Sequence, residues 1–445
     1  MAHYASLTSI VMDSGDVFRV HRIALMVLGL WPTKRVIYWI YSSLLLVPFC
    51  FIFTISEFAN LFFISDDLHS FAVNLCYFIP HLMTCLKITL FLSKVRKIQE
   101  LCERFGTTEF LPDPKRGIEE SRIVRDTIDR IFNCLLILYI LGTSVLLCGF
   151  IAPFYRQGNP KDSENQKNST IVPHLPYHSY VPCDPGSSPC FEIMFGYQAT
   201  SAFICTYIII HCDTLYVALV FHCCSQFRML NGSLETLTQR AATSFLAGQR
   251  EEQIRRDQQQ IDRESLRLGA NCVKHHQAIL EVKVYKPQSE LLPMKKLNHI
   301  NDLSSIENNL FLLIFTKKSF KPVLHWKTPF PVIDMSSFDL ITMTLFSCAM
   351  IYELFILCNT GNEMEIESKK VSRSAYNAQW TSASEPVKKI LLLMMLRAER
   401  PVLFTVGKFA KLSLRTFLSV GFISIQVNDL IKYQLLMNRF KKFFR

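Results

Sequence analysis

The sequence predicts an all-α, multi-pass helical membrane protein, and three observations predict it. Apolar residues are gathered into blocks of about 20, the length a helix needs to cross the hydrocarbon core. Only 19% of the residues are charged, against about 25% in an ordinary soluble domain. The Lys and Arg that are present concentrate in alternate connecting segments, the pattern that orients membrane helices.

The first clear span is 36–55 (VIYWIYSSLLLVPFCFIFTI), and 71–92 is the second, interrupted by His81 and Lys87. The third is 131–154, the fourth is 201–224 with Asp213 inside it, and a later one is 338–358 with Glu353 inside it. A weaker apolar stretch, 412–427, contains Arg415 and is the candidate last span. Between spans two and three lie nine Lys and Arg, and nine more lie between Arg228 and Lys283. The loop between spans three and four carries only Arg156, Lys161 and Lys167 in 155–194, and 65–70 carries none. Both basic segments fall on the side of the N-terminus, so the N-terminus is expected in the cytoplasm. The sequon Asn168-Ser169-Thr170 then falls outside the cell, where glycosylation requires it to be. The segment 225–281 is polar and charge-mixed, rich in good helix formers, and is expected to extend the neighbouring helices into the cytoplasm.

The balance of 48 Lys+Arg against 37 Asp+Glu gives a net charge of +11. With such apolar blocks present, that charge points to an anionic membrane surface rather than to nucleic acid. Most of the 15 cysteines lie inside apolar blocks, where they act as small buried hydrophobes. Cys183 and Cys190 differ: they flank the polar loop CDPGSSPC and form a candidate extracellular disulfide. No CxxC spacing, nucleophile elbow, Walker loop, GxGxxG or HExxH occurs, so neither an enzyme, nor a metal site, nor a cofactor is expected. The adjacent pair His275-His276 points two ways on a helix and is a poor metal site.

Several segments resemble one family. Gly29-Leu30-Trp31-Pro32 precedes the first span, and Cys272-Val273-Lys274-His275-His276-Gln277-Ala278-Ile279-Leu280 follows the fourth. Tyr352 to Glu363 closes the later span. The most specific block is Ala375-Tyr376-Asn377 with Trp380, then Leu391 to Arg397, Pro401, Gly407-Lys408-Phe409, Leu412-Ser413-Leu414 and Thr416-Phe417. These residues resemble the insect odorant receptors. The resemblance implies a seven-helix channel subunit with a cytoplasmic N-terminus, an orientation the loop charges predict on their own. It implies a cation channel assembled with a shared co-receptor subunit, gated by a small volatile odorant, in the plasma membrane of olfactory sensory neurons. It also implies an odorant pocket in the outer half of the helices, subunit contacts through the cytoplasmic region around Tyr376, Trp380 and Pro401, and a pore lined by the last helix, where Arg415, Thr416 and Phe417 lie.

That topology selects the candidate pocket residues: Asn74, Tyr77, Phe78 and His81 from span two, Thr143, Leu147 and Phe150 from span three, and Tyr197, Phe203 and Tyr207 at span four. Such aromatics suit a small-molecule pocket, and helix packing or an interfacial belt explains them equally. Lys87 sits close enough to the inner end of span two to snorkel, and Asp213 and Glu353 suit helix-packing hydrogen bonds better than ion selectivity.

Two stretches depart from the family pattern. Where a fifth span belongs, 282–339 is polar, and its only apolar piece is 310–315. Without that span, Lys369, Lys370, Arg373, Lys388 and Lys389 would fall on the wrong side for the positive-inside rule. The stretch 420–445 replaces a short tail and ends in Lys441, Lys442 and Arg445. Both begin with Val, whose codons open with the dinucleotide that starts most introns, so a non-functional isoform or a faulty gene model stands as an alternative. A gustatory receptor of the same architecture is another. A G-protein-coupled receptor would need the opposite orientation, and a transporter would need paired broken helices, which the sequence lacks.

Overall fold

The computed structural model of the protein describes residues 18–64, 68–113, 120–157, 175–184, 187–246, 254–283, 337–406 and 410–419. Asn168 lies outside these residues, as do nearly all of the two atypical stretches and the second half of 412–427.

The chain opens with a short helix, α1 (Arg19–Val27). Then come α2 (Val36–Phe63), α3 (Leu68–Arg104), α4 (Glu120–Gln157) and α5 (Cys190–Glu235). Two polar helices, α6 (Leu237–Leu246) and α7 (Ile254–Lys283), follow, and α8 (Ser337–Tyr376) and α9 (Glu385–Ala398) complete the helices. A two-residue ladder, β1 (Thr405–Val406) with β2 (Ala410–Lys411), is the single exception to all-α structure among the described residues. Five helices are long and apolar enough to cross a membrane. They coincide with the five clear apolar blocks but run well past most of their ends, because polar residues such as those of 225–235 continue a helix whose apolar part stops.

The core sits around α5. In its apolar stretch 72% of the residues are buried, against 17–44% in the other four long helices. Helix α5 packs on α4 and α8, α8 also packs on α4, and α2 and α3 close the bundle. A helix ringed by neighbours tends to be apolar on every face, and α5 reads that way through Leu215–Phe221, while the polar His211, Asp213 and Thr214 just before them are also buried.

Backbone irregularities mark where α2 meets its neighbours. Pro48 removes a helical N–H, and the helix widens into a π-helical turn over Val47–Ile52. The carbonyls there accept side-chain donors: Tyr197 Oη donates to Pro48 O at 2.7 Å, and Thr54 Oγ1 donates to Cys50 O at 2.7 Å. Before α2, the chain reverses at Gly29, whose φ of +78° suits a residue without Cβ. Ser42 Oγ donates to Gly29 O at 2.6 Å, and Leu30 and Trp31 are buried. The Gly-Leu-Trp-Pro motif is thus a docked connector that holds α1 against the bundle.

The bundle has two distinct ends. At one, Phe18, the residue before α1, packs on Phe105 beyond α3, and Arg104 pairs with Glu281 of α7 at 2.6 Å. This end carries the basic segments. At the other, residues 175–184 lie across α2, α3 and α5: Tyr180 N donates to Ser56 O at 3.0 Å, and Tyr177 is bound to Gln198. Cys183 and Cys190, joined by a disulfide, tie this segment to the start of α5.

Candidate functional site

Beneath residues 175–184, an aromatic cluster forms where α2, α3, α4 and α5 converge. Phe53, Leu146, Tyr177 and Ala202 are its buried centre, with Tyr77, Phe150, Tyr197 and Tyr207 packed around them. The Tyr177 ring meets Phe53, Tyr77 and His81 edge-on, with centroids 5.8, 5.1 and 5.6 Å away. Edge-to-face geometry suits the ring quadrupoles. Gln198 holds Tyr177 by its backbone: the side-chain Oε1 accepts from Tyr177 N and Nε2 donates to Tyr177 O, both at 3.1 Å. A further 2.8 Å bond runs from Gln198 Nε2 to Ser179 Oγ.

The cluster has a charged wall. Glu57 is fully buried near the end of α2, and both its carboxylate oxygens lie within 3.0 Å of His81 Nδ1. A buried carboxylate needs such a partner, since isolation in a dry environment costs several kcal/mol. Asn74, on the same face of α3, donates from Nδ2 to Glu57 O at 3.3 Å. Deeper in the bundle, Thr143 Oγ1 and Tyr207 Oη share a hydrogen bond of 3.0 Å, and Tyr139 bonds to His211.

Of the pocket residues expected from sequence, the structure brings Tyr77, His81, Phe150, Tyr197 and Tyr207 into or against this cluster. Asn74 and Thr143 join it through the hydrogen bonds just described. Phe78 is buried but leans on Phe58, 5.5 Å away, at the flank. Two residues depart from the expectation. Leu147 is 54% exposed and Phe203 is 50% exposed, so both face out of the bundle. A helix turns about 100° per residue, and the neighbours Leu146, Ala202 and Ile204 occupy the buried face instead. Sequence reading missed Phe53, Glu57, Tyr177 and Gln198. Glu57 sits just past the apolar block that defined the first span, and an ionisable residue so close to a span was the available signal. Tyr177 lies in a loop that periodicity does not illuminate.

A second charged cluster lies at mid-bundle. Lys87 Nζ is 2.8 Å from Asp213 Oδ2 and 3.2 Å from Glu353 Oε1, so one ammonium joins α3, α5 and α8. Lys87 is 3% exposed and does not snorkel: its two carboxylate partners lie inside, across the helix interfaces. Nearer the basic end, Arg130 and Arg228 both pair with Glu363, and Arg228 and Lys370 pair with Glu367. His275 and His276 diverge as expected for adjacent helical residues. His275 Nε2 bonds to Gln226 at 2.9 Å, while buried His276 packs edge-on to Phe227. Burial and the nearby Arg397 lower the His276 pKa to about 4, which keeps the ring neutral.

Among the candidate subunit-contact residues, Tyr376 is 62% exposed with its ring 6.2 Å from that of Trp380, and Pro401 is half-buried. On α9, Leu392, Leu393 and Leu396 are also exposed. Arg415 is exposed, Thr416 Oγ1 donates to Lys411 O at 2.6 Å, and Phe417 packs on Phe355 with centroids 5.6 Å apart. Among the described residues, no group of three or more His, Cys, Asp or Glu is placed to hold a metal ion.

Known proteins resemble this chain in sequence and in fold. The chain is 22% identical over 244 residues to odorant receptor Or2 of Anopheles gambiae, an alignment that takes in 55% of this chain and 57% of that relative. The fold matches the olfactory receptor OR5 of Machilis hrabei with a TM-score of 0.68 at 17% identity, covering 93% of this chain and 97% of that one. The same receptor in complex with eugenol matches with a TM-score of 0.66 over 92% of this chain and 95% of that one, again at 17% identity. At such identity the likeness speaks for the fold. The sequence pattern described as 7tm Odorant receptor matches residues 67–424, most of the chain and all of the helices from α3 to α9, and the protein is therefore a member of the odorant receptor family.

Proposed function

We propose that this chain is the ligand-binding subunit of an odorant-gated cation channel, formed with a shared co-receptor in the plasma membrane of olfactory sensory neurons. The observation that carries the reading is the aromatic cluster capped by residues 175–184, which pairs apolar walls with a few fixed polar groups, the composition of a small-molecule site. The eugenol complex of the Machilis hrabei receptor supports a small organic ligand for this fold. In this reading the basic end faces the cytoplasm and the 175–184 end faces outward, in line with the loop charges. The exposed residues Tyr376, Leu392, Leu393 and Leu396 then supply contacts to neighbouring subunits, and Arg415, Thr416 and Phe417 belong to the pore region.

The test is expression with the co-receptor in a cell that lacks both, with odour-evoked cation current as the readout and surface labelling as the control. Current that needs both subunits and an odorant is the expected result. Surface-expressed chain that gives no current to a broad panel overturns the proposal.

A further inference from the structure

In the charged wall, one buried polar atom has no hydrogen-bond partner, Asn74 Oδ1. Asn74 is fully buried, and its amide is oriented by the bond from Nδ2 to Glu57 O. That orientation leaves Oδ1 as a buried acceptor without a hydrogen-bond partner. Beside it, both Glu57 oxygens share His81 Nδ1, at 3.0 and 2.8 Å. Asn74, Tyr77 and His81 recur at helical spacing on one face of α3, so the unfilled acceptor stands one turn from Tyr77, whose ring touches Tyr177. A buried acceptor left unmade is costly, and native structures rarely keep one without a reason.

We propose that Asn74 Oδ1 is the polar recognition point of the site and that it selects ligands carrying a hydroxyl: small apolar alcohols or phenols whose O–H donates to it while the hydrocarbon part lies against the surrounding aromatic rings. The assignment rests on the receptor reading given above. Its chemistry follows from what is missing at the site. A ligand bringing only acceptors, such as an ether, ester or ketone, would leave Oδ1 unpaired. A protonated amine would have to shed its hydration to reach Glu57, which is fully buried beside His81. A neutral donor is the group that completes the wall.

The experiment uses the full chain with its co-receptor and matched ligand pairs: 1-octanol against its methyl ether, and 4-ethylphenol against 4-ethylanisole. Half-maximal concentrations are measured for the wild type, for Asn74→Leu, which keeps the volume and removes the acceptor, and for Asn74→Ser, which keeps a hydroxyl acceptor. The wild type should prefer each hydroxyl compound to its ether by about tenfold or more, the value of one buried hydrogen bond. Asn74→Leu should abolish the preference, chiefly by losing the hydroxyl compounds, and Asn74→Ser should retain part of it. A wild type that responds to both members of each pair equally, or prefers the ethers, overturns the assignment and leaves the receptor reading intact. So does a preference that survives in Asn74→Leu. Should Asn74→Leu fail to reach the surface, the wild-type and Asn74→Ser rankings decide by the same criteria. A wild type at the surface that responds to no odorant overturns the receptor reading and this assignment with it.

Discussion

Replacing Lys87 by Met should damage this protein more than replacing either of its acidic partners. With all three groups ionised, Lys87, Asp213 and Glu353 sum to −1, and the ammonium lies 2.8 and 3.2 Å from the two carboxylates. At an effective dielectric constant near 20, each contact is an attraction of about 5 kcal/mol, most of which offsets the cost of burying the charges. Lys87→Met leaves the buried Asp213 and the largely buried Glu353 facing each other without a cation. Breaking a buried pair in this way costs about 3–5 kcal/mol. Asp213→Asn leaves the Lys87–Glu353 pair, and Glu353→Gln leaves Lys87–Asp213; both remnants are neutral and should cost about 1–2 kcal/mol less than Lys87→Met. The assay is thermal unfolding of detergent-purified protein, followed by fluorescence-detected size exclusion, beside surface expression. Lys87→Met combined with Asp213→Asn and Glu353→Gln should recover much of the loss, because no charge then remains to be buried alone. An Asp213→Asn protein that melts below Lys87→Met, or a triple variant no better than Lys87→Met, would refute the electrostatic account.

Other outcomes follow from particular residues. A Cβ at Gly361 would lie 2.7 Å from the Leu412 carbonyl, whereas one at Gly196 meets nothing within 4 Å. Gly196→Ala should therefore stabilise α5 by about 0.5–1 kcal/mol through helix propensity, while Gly361→Ala should lose about 1–3 kcal/mol by pushing 410–412 off α8; melting temperatures that move in the same direction would sink the contrast. The folded-state pKa of His276, about 4, lies below its ordinary 6.5, so the folded chain resists protonation that the unfolded chain accepts. Its contribution is complete above about pH 6.5 and declines as pH falls toward 4, reaching a loss of roughly 1–2 kcal/mol at pH 5.5. His276→Gln should remove that part of the acid sensitivity, visible as a flatter melting-temperature profile between pH 6.5 and 4.5. Finally, a version in which an ordinary apolar span replaces 282–339 and the tail beyond 419 is shortened should reach the surface in greater amount and carry more current than the chain as it stands; equal currents with the same co-receptor and odour panel would show that both stretches are tolerated.

The helices and the ends of the bundle were legible in the sequence because both depend on quantities that add up along the chain. Apolar runs such as Ile131 to Phe154 exceed the bilayer length whatever they pack against, and Lys and Arg counts separate the basic segments from the sparse loop 155–194 without any knowledge of contacts. Family membership was legible for a similar reason: Tyr376, Trp380 and the motif from Leu412 to Phe417 are read in order along one strand of text. The faces of the helices were not. In a bundle whose central helix is buried on most of its faces, periodicity carries little phase, so Leu147 and Phe203 could not be told from Leu146 and Ala202 until α5 had neighbours. Nor could partners be assigned across the chain. Lys87 meets Asp213 at a separation of 126 residues and Glu353 at 266, and its charge near one end of an apolar block is equally compatible with snorkelling until the helices are assembled. The same holds for Glu57 and His81, whose pairing requires α2 and α3 to lie antiparallel, and for Tyr177, brought over the cluster by a loop residue's backbone bonds to Gln198. Composition and spacing determine which segments enter the membrane; only tertiary structure decides which side chains they turn toward one another, because burial of a charge or a polar group is favourable or ruinous according to the single partner it finds there.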